Sequence, residues 1–125
     1  MKNKWLFISA LSGFFCIAFG AFAAHGLEKT LPSQALAWIE TGLKYQMFHT
    51  VALMVLGGLQ SYLRIDCDRC ISVIGTTWSF GILLFSGSLY LLALGASKAL
   101  VWATPIGGTL FLIGWVALAY RSIKN

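Results

Sequence analysis

Four long stretches without a formally charged side chain fill almost the whole of this 125-residue chain: Trp5 to Ala24, Tyr45 to Leu63, Cys70 to Ser97 and Ala99 to Tyr120. Each provides the roughly 20 residues that a helix needs to cross a hydrocarbon core of about 30 Å, and in lipid only a helix satisfies its own backbone hydrogen bonds. The pattern predicts an all-α membrane protein. Four transmembrane helices, over about residues 5–24, 45–63, 70–94 and 104–120, are expected to form a compact bundle in a single domain spanning 1–125. The short connections that remain leave no soluble domain for conventional chemistry.

Nine Lys and Arg residues against four acids give a net charge of +5, which in a soluble chain would raise the question of nucleic acid. Here the cations sit singly or in pairs at window ends, with no basic stripe, so nucleic acid is excluded as a partner and they read as topology signals. Lys2, Lys4, Arg64, Arg69, Arg121 and Lys124 fall on one side of a four-span arrangement; Lys29, Lys44 and Lys98 fall on the other. Cytoplasmic segments collect Lys and Arg, so both termini are expected in the cytoplasm. Trp5, Tyr62, Trp115 and Tyr120 are then expected to anchor the inner boundary, and Trp38, Tyr45, Tyr90 and Trp102 the outer one.

The first window also resembles a signal peptide, because Lys2 and Lys4 precede an apolar run ending in Ala21-Phe22-Ala23. Cleavage would leave three spans. Against it stand the length of the run and a ridge of small residues, Ser12, Cys16, Gly20 and Ala24, at four-residue spacing. Such a ridge lets another helix backbone approach closely, so the segment is expected to be retained and packed. Gly107 and Gly108 are expected to pack in the same way in the last span.

Within the connection from His25 to Lys44, Leu31-Pro32-Ser33 predicts a helix start, with Ser33 as N-cap. Ala35, Leu36, Ile39 and Leu43 follow at helical spacing, which predicts a short interfacial helix between spans 1 and 2. Thr104-Pro105 predicts the start of the fourth helix, with proline in its first turn.

Polar residues gather toward the proposed outer ends: His25 after the first span; Tyr45, Gln46 and His49 at the second; Ser86, Ser88 and Tyr90 in the third. Polar groups in a bilayer are costly unless paired, so these seven are candidates for a shared layer, either of structural hydrogen bonds or of a ligand or proton site. Tyr45, Gln46 and His49 are close enough in helical register to share one face. His25 and His49 with Glu28 or Glu40 lack the close spacing of a zinc site, and no metal is expected. Cys67-Asp68-Arg69-Cys70 is a lone CxxC, too few ligands to close a zinc site, and reads as chance or packing. No catalytic or cofactor fingerprint occurs, so no cofactor is expected.

Four stretches resemble one family. Gly20-Ala21-Phe22-Ala23-Ala24-His25-Gly26-Leu27, Thr41 through His49, Phe85 through Tyr90 and Thr104 through Gly108 are similar, in order, to the signature of domain-of-unknown-function family 423, a group of small bacterial membrane proteins. Ala23 stands where that pattern usually has glycine, and Cys67/Cys70 are not part of it. The resemblance implies a multi-pass bacterial inner (plasma) membrane protein and brings no established activity, substrate or cofactor. It also implies that His25, Tyr45, Gln46, His49, Ser86, Gly87, Ser88, Tyr90, Thr104 and Pro105 are motif positions.

The expected function is non-enzymatic: an accessory or assembly factor, or a lipid- or ligand-binding protein, with membrane lipids and a homo-oligomer or membrane-protein partner as company. The alternative is an oligomer that passes protons or a small solute along the histidine and hydroxyl layer. No carboxylate pair or nucleophile supports an enzyme.

Overall fold

The computed structural model describes residues 3–63 and 69–124. Cys67, and with it the Cys67/Cys70 pair, lies outside the described residues, as do Lys2 and Arg64 of the charge count. The described chain is helical almost throughout. Helix α1 spans Lys4–His25, α2 Ser33–Leu63, α3 Arg69–Gly81, α4 Gly87–Ala93 and α5 Ala103–Ile123. A π-helical turn, Ile82–Ser86, joins α3 to α4 without a break, and 3₁₀ turns at Leu27–Lys29 and Lys98–Trp102 lead out of α1 and into α5.

Three of these stretches are long and apolar enough to cross a membrane: Lys4–Lys29, Arg69–Ala93 and Lys98–Ile123. Helix α2 is long enough, but it carries Glu40, Lys44, Gln46, His49 and Gln60 along its length. Large apolar side chains such as Phe7, Phe14, Ile17, Leu83, Leu112 and Val116 coat the outside of the other helices. A surface of that kind suits lipid rather than water.

No separate interfacial helix forms, contrary to expectation. The segment that starts at Ser33 runs into the second window as one helix of 31 residues, about 46 Å at 1.5 Å per residue. A single buried stripe explains the continuity: Ala35, Ile39, Gly42, Gln46, His49, Leu53 and Leu56 recur every three or four residues, so no change of face invites a break. Ser33 is the first helical residue rather than the cap, since the Pro32 carbonyl accepts the Leu36 N–H at 3.1 Å. The chain then turns between α4 and the last helix at Gly95, whose φ of 95° suits a residue without Cβ.

The small-residue ridge of α1 also differs from expectation. The buried positions are Trp5, Ser9, Cys16 and Ala23, while Ala24 is exposed and Gly20 leaves ordinary room, its notional Cβ lying 3.7 Å from Leu43. Steps of four residues overrun a 3.6-residue turn by about 40° each, so a strict four-residue ridge drifts off the contact face by its last member. The close approaches lie elsewhere, where glycines sit under aromatic residues: Gly75 under the Trp5 ring, Gly42 under the Tyr90 ring, and Gly107 against the backbone of Phe85 in the π-helical turn. Gly108 is looser, 3.7 Å from the Phe85 ring.

Aromatic anchoring is correspondingly redistributed. Trp5 and Tyr90 are buried and Trp115 is half-buried, while Tyr62, Trp102 and Tyr120 are exposed. Two apolar clusters result: Trp5, Leu53, Leu56, Ile71, Ile74, Trp78, Ile82 and Phe111 pack between α1, α2, the α3 unit and α5. Ala23, Ala35, Ile39, Tyr90 and Ala93 pack near the other end of the bundle. Asn3 fastens α1 to the far end of α2: its side-chain oxygen accepts the Leu6 N–H, and its Nδ2 donates to the Gly57 carbonyl at 2.8 Å and to Ser61 Oγ at 2.6 Å.

Candidate functional site

The polar residues of α2 divide between two sides of that helix. Gln46, His49 and Thr50 are buried, whereas Tyr45 is 43% exposed, its ring set edge-on to Phe85 at 5.1 Å and its carbonyl meeting His49 Nδ1. His25 is exposed at the end of α1. His25 and the Tyr45 side chain therefore stand outside the buried polar groups, and the single shared layer expected from helical register does not form. Residues 46 and 49 are three positions apart, about 300° around the helix, which suffices to aim them at different neighbours in a crowded bundle.

His49 faces α5. Trp115 Nε1 lies 2.9 Å from His49 Nε2, and His49 Nδ1 lies 2.8 Å from the Tyr45 carbonyl. An indole N–H only donates and a carbonyl only accepts, so Nε2 must be the acceptor and Nδ1 must carry the proton. The imidazole is thus held neutral in one tautomer with both nitrogens used. It stacks on Phe111 with centroids 3.7 Å apart and planes 9° from parallel, and Phe48, Trp78 and Trp115 close around it.

Gln46 faces α1 and α4. Tyr90 donates its hydroxyl proton to Gln46 Oε1 at 2.6 Å, Gln46 Nε2 donates to Ser12 Oγ at 2.9 Å, Ser12 and Thr50 hydroxyls meet at 2.6 Å, and Thr50 donates to the Gln46 carbonyl at 2.7 Å. Thr50 has one proton and spends it on the carbonyl, so Ser12 must donate to Thr50. With the amide the other way round, the Ser12 proton would go to Oε1 and one of the four contacts would lose its proton. The chain of bonds therefore has one direction, and it leaves a second Gln46 N–H uncommitted within the network, while the Tyr90 hydroxyl also neighbours Ser86. Ser12, Gln46 and Tyr90 were within reach of sequence reading; Thr50 and Trp115 as partners were not, because partner choice depends on helix rotation.

The serines of the third helical unit complete the polar ties. Ser86, fully buried, donates to the Gly42 carbonyl at 2.7 Å, which joins the π-helical turn to α2. Ser88 meets the Thr104 hydroxyl at 2.5 Å and reaches the Phe85 carbonyl at 2.9 Å, linking α4 to α5. Thr104 thus bridges helices rather than capping its own. The wide turn brings Ile82 and Ser86 inward together and sets Phe85 against Gly107.

Beside the Gln46 network, α1 stands away from α3 and α4 and leaves a cavity of about 420 Å³. Ile8, Leu11, Phe15, Ile82 and Leu83 form its walls; Ser12, Gln46, Ser79 and Tyr90 supply its polar atoms. A second cavity of about 580 Å³ shares Phe15, Leu83, Gly87 and Tyr90 with the first and continues past Phe19 toward Leu94 and Leu100. The two make one groove along the α3 and α4 unit, from Ser79 to Leu94, about 22 Å at helical rise. Among the described residues no charged side chain lines either part. Among the described residues no three His, Cys, Asp or Glu side chains gather where they could hold a metal ion.

Residues 19–108 match the family model described as "Protein of unknown function (DUF423)". A UPF0382 membrane protein of Haemophilus influenzae is 59% identical over 125 residues, covering 100% of this chain and 98% of its own. The UPF0382 inner membrane protein YgdD of Escherichia coli K12 is 42% identical over 130 residues, covering 99% of this chain and 93% of its own, and a UPF0382 membrane protein of Staphylococcus epidermidis is 38% identical over 120 residues. No solved structure matches the chain. With a matched region that takes in Gln46, His49, Ser86, Tyr90 and Thr104, and with relatives alike over their whole length, the chain belongs to the DUF423 family of membrane proteins of unknown function.

Proposed function

We propose that this is a non-enzymatic, four-span protein of the bacterial inner membrane, with both termini cytoplasmic, that binds a lipophilic ligand in the groove between α1 and the α3 and α4 unit. The groove carries the reading: two joined cavities of about 420 and 580 Å³, apolar walls, a few convergent polar groups and no charge have the composition of small-molecule sites. Counting α2 as a span is supported by its length and by the inward aim of Gln46, His49 and Thr50, which removes from lipid the polar groups in the middle of the helix. The cytoplasmic termini rest on the Lys and Arg distribution, and the inner-membrane location on the name of the E. coli relative.

His49 supports a binding protein over a proton path, because both ring nitrogens are engaged and aromatic rings surround them. Native mass spectrometry of the protein released from mild detergent tests the reading. A bound amphiphile near one per chain is expected; a bare chain under conditions that preserve lipid on other membrane proteins contradicts it. Tag accessibility at each terminus tests the topology, and a periplasmic C-terminus would overturn it.

A further inference from the structure

Resting on the binding reading above, we infer that the ligand is a neutral lipid whose polar end is a flat ring bearing carbonyl groups, in chemical class a membrane quinone, with its tail in the groove. The first observation is the absence of charge: among the described residues neither cavity has a charged side chain in its lining, so an anionic or zwitterionic headgroup would enter without a partner at a cost of several kcal/mol as a general rule.

The second is the direction of the hydrogen-bond chain. Of Ser12, Gln46, Thr50 and Tyr90 only Gln46 keeps an uncommitted proton, its second N–H; the weakly donating Cys16 thiol lies against Ser12 and Thr50 but does not line the cavity, so what the network offers there as a donor is one amide N–H. A donor calls for an acceptor, and a carbonyl oxygen provides it.

The third is depth. Ser12, the Gln46 partner, is the ninth residue of the 22 in α1, about 12 Å along a helix of about 33 Å. The ester carbonyls of glycerolipids stay at the edge of the hydrocarbon layer, about 15 Å from its centre, and so do not meet this level. An uncharged ring carried on an apolar tail does. The fourth is the wall: Phe15 and Phe19 lie with their centroids 5.8 and 4.8 Å from the Tyr90 ring, an aromatic surface beside the amide against which a flat ring stacks.

The experiment uses the full-length protein in nanodiscs of quinone-free phospholipid, with two probes that share a tail: decyl-ubiquinone, and decylbenzene, which lacks the carbonyls. Saturable binding of the quinone, at least about tenfold tighter than decylbenzene, is expected, a ratio that corresponds to one good hydrogen bond. Gln46→Leu should remove that preference. Gly87→Leu, at a position where a Cβ meets nothing within 4 Å, should weaken both probes by filling the groove. Equal binding of the two probes to the wild type would overturn the carbonyl inference while leaving the groove as a lipid site. Failure of both probes to bind would overturn the groove reading as well. If Gln46→Leu does not fold, the probe pair on the wild type and the Gly87 variant still decide.

Discussion

His49 and Gln46 sit one helical turn apart on the same helix, and their surroundings differ in kind. His49 is sealed: both nitrogens are bonded, one face lies on Phe111, and three more aromatic rings close the rest. Gln46 is equally buried, at 4% exposure against 3%, yet it lines a cavity and belongs to a network that has a proton to spare. Burial alone therefore does not tell a structural polar group from one that can meet a ligand. The count of protons and the space beside the group do.

Substitutions at Gly107, Trp115, His49 and Gly20 should sharpen that contrast, in falling order of effect. Gly107→Val should be the most damaging, since a Cβ there meets the backbone of Phe85 rather than a movable side chain; a loss of about 3 kcal/mol or failure to fold is expected by analogy with overpacked cores, read by thermal melting in detergent. Survival of the melting temperature would mean that α5 can slide along the π-helical turn. Next, Trp115→Phe should cost about 1 to 3 kcal/mol, because the neutral imidazole then buries an acceptor without its donor. His49→Gln should retain more stability than His49→Ala, as an amide can both donate and accept.

The smallest effect is expected at Gly20→Ala, within about 0.5 kcal/mol of wild type and on the stabilising side if anything, given ordinary room beside Leu43 and the helix preference of alanine. A large loss at Gly20 would restore the four-residue ridge as the true contact face of α1.

The helices were legible because charge-free windows are a property of composition alone. The window 5–24 lies within α1, the window 70–94 follows the α3 and α4 unit to within a residue, and 104–120 lies within α5. The start at Pro32-Ser33 was legible because proline supplies no backbone donor. What sequence spacing could not supply was rotation. Whether Gln46 turns to Tyr90 or His49 turns to Trp115 depends on which helices flank α2, and the drift of a four-residue repeat against a 3.6-residue turn decides that Ala23 is buried and Ala24 is not. The π-helical turn left no trace in composition, although Gly81 and Gly87 flank it. Both residue types of the aromatic-over-glycine contacts are abundant in the sequence, but which distant pairs meet, as Gly42 does Tyr90, is a product of the fold.

Stability and occupancy are separable properties of the two sides of α2. Measuring melting temperature and bound amphiphile together, on Gly87→Leu and Trp115→Phe, tests it most directly. Gly87→Leu should melt like ligand-free wild type and lose its ligand, and Trp115→Phe should melt earlier than wild type and keep it. If ligand and stability instead fall together in both variants, the groove and the histidine clamp form one unit and the account is wrong.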